Sequence, residues 1–334
     1  MSTALKLAAA AAVSALVFSK VLELSEQDHS VVSNKYVPNR TTRFAAHNVK
    51  QGEQLGGGQE FFLNKQGLYI HFRRWIPLAN VHPAPIGVVV LVHGLGEHIA
   101  RYAHVALALN QAGFVVYGLD HQGHGRSEGD RLHLVGGFTD YVDDVLDLVA
   151  MCKRENPLLV NKVYVLGHSM GGLITVLTLQ RAQHEFAGAV ISGPALGLDV
   201  PPPPAVLALL GGLSAVLPKL PVDGLPLDTL ADNKPLVDLY LNDPLVSRGK
   251  IPARLLNEMA TSMSQVKPEL LTLPYLLFHG EGDGLCALRF SQEFHQKSVN
   301  SRDKTFVKLK GGHETLNELD GKAVKLTVDW LKAH

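Results

Sequence analysis

The chain is poor in cysteine and has no excess of charge of either sign. Cys152 and Cys286 are its only cysteines in 334 residues, which excludes a disulfide framework, and they lack the spacing of a zinc motif. Lys plus Arg and Asp plus Glu both number 31, so no basic surplus steers the protein toward nucleic acid. The apolar run near the N-terminus falls short of the roughly 20 residues that span a bilayer as a helix. What is present, 46% hydrophobic and 19% charged residues, is the composition of a globular protein with a large core. A single α/β domain of this length is common.

The N-terminal stretch "MSTALKLAAAAAVSALVFSKVLELSEQD" stands apart. Lys6 precedes an apolar run from Leu7 to Phe18, and Lys20 follows it. That pattern suits a signal-peptide hydrophobic region with a cleavage site near Val17-Phe18-Ser19, or a membrane anchor. An Ala-rich helix that packs or lies on a bilayer surface is the plainer alternative. Residues 1–24 are therefore expected to associate with a membrane, within the secretory pathway if cleaved and otherwise from the cytoplasm. Asn39-Arg40-Thr41 is a glycosylation sequon that matters only for a secreted chain. Residues 25–57, polar and then Gly-rich, read as a linker.

From residue 59 strands and helices alternate. "FFLNKQGLYIHFRRWIP" reads as a hairpin around Asn64-Lys65-Gln66-Gly67. Continuous apolar runs follow at 87–94, 114–120, 163–167, 188–192, 275–280 and 306–312. Strands buried on both faces suit a mostly parallel, doubly wound sheet. "YVDDVLDLVAMCKRE" and "KAVKLTVDWLKAH" are among the helices between and after them. The core is expected to comprise residues 58–194 and 269–334, with a helical cap over 195–268.

One strand-to-helix junction carries chemistry. Gly167-His168-Ser169-Met170-Gly171 fits the G-x-S-x-G nucleophile elbow, in which a strained turn exposes the serine hydroxyl above the sheet. A serine hydroxyl needs a base, and in this fold an acid and a histidine follow it in chain order. "YLLFHGEGDGLC" places Asp283 just past a strand, and "FVKLKGGHETL" places His313 likewise. Glu281 and Asp199 are rival acids, His279 and His295 rival bases. Gly282 and Gly284 favour Asp283 by letting the loop fold inward. The oxyanion donors are expected to be the N–H groups of Met170 and of Leu95, the latter in "LVHGLGEH". His93 reads as a packing residue that bonds backbone, and Glu97 with Arg101 as a helix-surface ion pair at i, i+4.

"HGLGEHIARY", "LDHQGHGRSEGDR", "LGHSMGG", "NKPLVDLYLNDPLV", "HGEGDGLC" and "GGHETL" together resemble the monoacylglycerol lipases, from about residue 60 to the C-terminus. The resemblance implies an α/β-hydrolase that cleaves a fatty acyl ester from glycerol through an acyl-enzyme, without metal or cofactor. It implies Ser169 as nucleophile, His313 as base, Asp283 as its orienting acid, and Leu95 and Met170 as oxyanion donors. It places Glu97, Arg101 and Tyr240 at the glycerol end of the pocket and Cys286 as a thiol beside the acid. One position departs: mammalian members carry a second histidine three residues after the base, where this chain has Leu316. The departure concerns the choice of headgroup, not the chemistry. A lysophospholipase or broader carboxylesterase would share the same reacting residues. A serine aminopeptidase or a non-catalytic binding protein on the same fold are more distant readings.

Within the expected cap, "PPPPAVLALLGGLSAVLPKLP" is apolar all round. Such a helix is either buried or dips into lipid. Over a serine site it suits a long acyl chain leaving a membrane, each buried methylene contributing about 0.8 kcal/mol. The expected partners are a monoacylglycerol or similar acyl ester and a membrane surface.

Overall fold

The computed structural model describes residues 54–55, 59–80, 82–134, 136–197, 204–222, 234–248, 250–318 and 320–334. The expected signal or anchor segment, its cleavage site, the sequon and Asp199 lie outside them. Among the described residues no helix is long and apolar enough to cross a membrane.

The hairpin forms where its turn chemistry puts it. β2 (Gln59–Leu63) and β3 (Tyr69–Trp75) pair antiparallel. Between them Asn64 Oδ1 accepts the N–H groups of Gln66 and Leu68, which folds the chain back on itself. A two-residue strand, β1 (Gln54–Leu55), pairs with β2, inside the stretch read as linker.

Six parallel strands follow: β4 (Gly87–Val92), β5 (Phe114–Leu119), β6 (Val163–His168), β7 (Gly188–Ser192), β8 (Tyr275–Gly280) and β9 (Lys304–Leu309). The nine-stranded order is β1-β2-β3-β5-β4-β6-β7-β8-β9, with β3 antiparallel to β5. The last strand begins at Lys304 rather than 306. It lies at the sheet edge and is only partly buried, so its apolar pattern marks it less sharply.

The uninterrupted apolar runs are explained by burial on two sides. In β4, Val88, Val90 and Val92 enter one core cluster, while Val89 and Leu91 enter the other. The first cluster is covered by α2 (Thr139–Glu155) and α3 (Met170–Ala182), the second by α1 (Ala103–Gln111) and α8 (Lys322–Ala333). Chain winding reverses between β4 and β6, which are neighbours. The crevice beyond their carboxyl ends is where an open α/β sheet binds ligands.

Between β7 and β8 lie three helices, α4 (Pro204–Val216), α5 (Lys234–Asn242) and α6 (Ala253–Ser264), and α7 (Leu288–Lys297) follows β8. The "HQGHGRSEGDR" loop is held by Asp120, whose carboxylate accepts His71 Nδ1–H and the backbone N–H of Ile99 and Arg126. Its motif is architectural.

Asp144, on α2, is fully buried beside Asn64 and Gln122 and has no cationic partner among its hydrogen bonds. Burial raises its pKa from 3.8 to about 7. The folded chain thus holds a proton that the unfolded chain releases between about pH 4 and pH 7, so stability falls as pH rises through that window. The cost above it is on the order of 4 kcal/mol, at about 1.4 kcal/mol per pKa unit. Asp144→Asn keeps the shape without the charge. Its melting temperature is expected to exceed the wild type's by several degrees at pH 8 and by much less at pH 4. An equal difference at both pH values in thermal melts would show that Asp144 is not the titrating group.

Candidate active site

Ser169 sits at the junction of β6 and α3 with φ +56° and ψ −120°. It is one of two non-glycine residues with positive φ among those described. Backbone strain of this kind costs on the order of 1–3 kcal/mol and persists only where the surroundings enforce it. They do so here by close approach. A Cβ on Gly167 would strike Thr175 Oγ1 and the Gly171 carbonyl, and one on Gly171 would strike the Val92 and His93 carbonyls of β4 and its following loop. Both glycines are therefore needed for contact distance rather than for left-handed backbone.

The loops after β8 and β9 bring Asp283 and His313 together. His313 Nδ1 donates to Asp283 Oδ2 at 2.7 Å. His279, the rival base, is placed elsewhere: its Nδ1 meets Ser291 Oγ at 2.8 Å, and its Nε2 lies 3.0 Å from Asp283 Oδ2 and 2.9 Å from the Cys286 carbonyl. Asp283 Oδ1 also accepts the N–H groups of Leu285 and Cys286 at 2.9 and 2.8 Å. Burial works against this carboxylate's charge, but the hydrogen bonds from His279 and His313 outweigh it and hold its pKa well below the usual range. Burial likewise opposes charge on His313, and Asp283 reverses it, raising the imidazole pKa above 6.5. Neither Gly282 nor Gly284 has positive φ; hydrogen bonds, not glycine freedom, turn the loop inward. Glu281 is exposed, and His295 Nδ1 pairs with Tyr275 OH at 3.2 Å.

Ser169, His313 and Cys286 line one cavity of about 90 Å³. The Ser169 hydroxyl is hydrogen-bonded to the Cys286 thiol. Among the described residues no hydrogen bond joins Ser169 to His313; catalytic hydrogen bonds often tighten only once substrate is bound. Asp283, Cys286 and His313 also form a cluster of metal-ligating types, their donor atoms within 4.8 Å of one another. The acid and the imidazole are engaged with each other, and burial and the Asp283 charge keep the thiol protonated. That state fits proton transfer better than ligation.

The loop after β4 is braced from both sides. Glu97 Oε1 accepts Gly94 N–H and Tyr102 O–H, both at 2.6 Å, and Ser247 N–H donates to the Gly96 carbonyl at 2.6 Å from the segment after α5. Among the described residues no carbonyl or side chain takes the amides of Leu95 and Met170. His93 bonds the Gly94 carbonyl and the His121 N–H, a packing role.

Glu97 and Arg101 do pair, at 3.0 Å, but not on a surface: the side chains are 3% and 11% exposed. Glu97 and Tyr240 line the Ser169 cavity, whereas Arg101 does not: its guanidinium stands 4.8 Å from the centre of the Tyr240 ring, and it lines the separate, larger cavity between α1 and α8 instead. Leu316 is absent from the lining of the Ser169 cavity. It packs in the second core cluster, and Glu314 lines the cavity instead. Glu314 and His168 are the two lining polar residues that sequence reasoning passed over. Only the fold reveals that the residue beside the base faces Arg101, at 3.4 Å.

The apolar part of the lining is formed by Leu95, Ala195, Leu285, Met259 and Met263. The cavity volume is about 90 Å³, and two of its apolar lining residues, Met259 and Met263, have unbranched side chains that adapt in shape. A larger cavity of about 810 Å³ lies between α1 and α8, open to solvent and without a nucleophile.

A family model described as "Serine aminopeptidase, S33" matches residues 83–320. The chain is 37% identical over 279 residues to a monoacylglycerol lipase of Mycolicibacterium smegmatis, covering 82% of this chain and 96% of that one. It is 34% identical over 260 residues to the human monoglyceride lipase, covering 77% and 83%. The crystal structure of a Paleococcus ferrophilus monoacylglycerol lipase superposes with a TM-score of 0.70 at 29% identity, covering 79% of this chain and 99% of that one. The chain thus belongs to the α/β-hydrolase family described as serine aminopeptidase S33 and, within it, to the monoacylglycerol lipases.

Proposed function

We propose that the protein hydrolyses monoacylglycerols to fatty acid and glycerol through an acyl-enzyme on Ser169. The observation that carries this is a strained serine sharing one cavity with a 2.7 Å His313–Asp283 pair. The apolar side chains of that cavity would take the acyl chain, and Glu97 and Tyr240, held by Arg101, the glycerol.

In the first half-reaction the Ser169 hydroxyl turns from Cys286 to His313. His313 Nε2 takes its proton as Oγ attacks the ester carbonyl, and the Leu95 and Met170 amides stabilise the oxyanion. The carbon–oxygen bond to glycerol breaks as His313 returns the proton to the leaving oxygen. Water then attacks the acyl-enzyme, giving its proton to His313, which passes it to Ser169 Oγ as the fatty acid departs. Asp283 fixes the imidazole tautomer and stabilises its protonated form.

The membrane is the proposed source of substrate. On α4, Val206, Leu209 and Val216 are 49%, 47% and 78% exposed, and Leu217 just beyond it is 47% exposed, so the helix is not buried as one reading allowed. A patch like this gains by entering lipid.

Purified protein is expected to cleave monoacylglycerol faster than lysophosphatidylcholine or a prolyl amide, and Ser169→Ala to lose at least 10³-fold in kcat. Cleavage of the amide alone would overturn the lipase reading.

Because His313 must be neutral to accept a proton, kcat/KM is expected to fall as pH drops through a midpoint above 6.5. Asp283→Asn should lower kcat by about 10⁴-fold and move that midpoint down. A pH profile with the midpoint unmoved in the variant would contradict the role given to Asp283.

Replacing Val206, Leu209 and Val216 together by Ser removes about 1 kcal/mol of burial each. Partitioning onto phosphatidylcholine vesicles, measured by flotation, is expected to drop about 100-fold, while turnover of a water-soluble short-chain ester holds. Unchanged flotation would remove α4 as the contact.

A further inference from the structure

The cavity lining holds two polar groups that the hydrolytic steps leave unused. His168, the residue before the nucleophile, lines the cavity and is 1% exposed. Its Nδ1 lies 3.0 Å from Ser192 Oγ, but its Nε2 has no hydrogen-bond partner. Folded proteins seldom leave a buried nitrogen this way without a ligand or water to meet it. Burial and the neighbouring His313 hold the ring's pKa down to about 3, so it is neutral near pH 7.

Glu314 faces that nitrogen. Its Oε2 is fixed by Asn317 Nδ2 at 2.5 Å and by the Arg101 guanidinium at 3.4 Å. Its Oε1 lies 3.9 Å from His168 Nε2, too far for a direct hydrogen bond. The carboxylate is therefore anchored by one oxygen and offers the other. An oxygen atom about 2.8 Å from both groups would span the gap with an angle of about 90° between its two contacts.

We propose that this gap is a hydroxyl subsite, in which a free hydroxyl of the glycerol headgroup donates to Glu314 Oε1 and meets His168 Nε2. Glu314 is then a specificity-determining residue, and the assignment rests on the monoacylglycerol reading above. Its position follows from the chain: Glu314 is the residue after the base, so the subsite is tied to the reacting centre. It also accounts for Leu316, whose side chain is in the core; the headgroup contact comes from two residues earlier. The subsite selects by charge as well. Glu97 and Glu314 share Arg101 as their cationic partner, so a phosphate here meets a surplus of negative charge and a neutral polyol does not.

The test compares three esters of one short fatty acid: the monoacylglycerol, the ethylene glycol monoester and the methyl ester. Wild type is expected to prefer the glycerol ester over the methyl ester by about 10- to 100-fold in kcat/KM, the range of a hydrogen bond to a charged group. In Glu314→Gln that ratio is expected to fall about 10-fold, chiefly through KM, because the contact exists before and during reaction. Glu314→Asp keeps the charge near Arg101 but withdraws it from the gap, and should lower the ratio similarly. A ratio that stays constant while all three esters slow together would reduce Glu314 to a brace for Arg101 and overturn the subsite alone. Wild type that cleaves the methyl ester but not the glycerol ester would overturn the parent reading and the subsite with it. Should both variants fold poorly, inhibition of the wild type decides: glycerol should compete with the methyl ester more strongly than 1-propanol. Equal inhibition by the two alcohols overturns the subsite.

Discussion

The site depends on a backbone that cannot relax. Ser169 stays at φ +56° because β4, β6 and α3 approach so closely that no side chain fits at Gly167 or Gly171. The strained turn aims a hydroxyl into the crevice where the winding of the sheet reverses, and it leaves the first amide of α3 without a partner. Packing of the central strands thus stores the strain that the chemistry uses. The same packing explains why β4 and β6 are buried throughout.

Two further constraints converge on that turn. One is electrostatic: Asp283 collects two backbone amides and two imidazoles, so it stays ionised in a buried place and keeps His313 basic. The other is mechanical. Glu97 ties Gly94 to Tyr102, and the segment after α5 ties Gly96 through Ser247, so the loop after β4 is held by the sheet layer and by the inserted helices at once. His98 paired with Asp243 at 2.8 Å adds a second tie on the same side.

The cavity lining is mixed in polarity. Its apolar part includes two soft, unbranched methionines, while its polar groups form a network in which each limits the freedom of another. Arg101 lies between Glu97 and Glu314 and against the Tyr240 ring. On the proposed reading, a headgroup entering there would meet preorganised acceptors and give up little to reorganisation.

The alternation of strands and helices, the elbow and the chain order of serine, acid and histidine were legible in the sequence, because each rests on local rules: strand burial, turn sterics and the one-way winding of the sheet. The sequence favoured Asp283 over Glu281 and ranked His313 above His279, but their pairing needed the loops after β8 and β9 to meet, and it came from a hydrogen bond between residues 30 apart. Local reasoning could not read Glu97 and Arg101 correctly, since i, i+4 spacing is the same on a wet helix face as in a pocket wall. Glu314 and Leu316 make the point most sharply. The resemblance set Leu316 where mammalian members carry a second histidine, and the turn after His313 sends Leu316 into the core and Glu314 to Arg101. The sequence determined which reaction the chain is equipped for, because the reacting groups are tied to local motifs; tertiary structure alone decided which polar side chains gather around the Ser169 cavity, because they come from distant segments that only folding brings together.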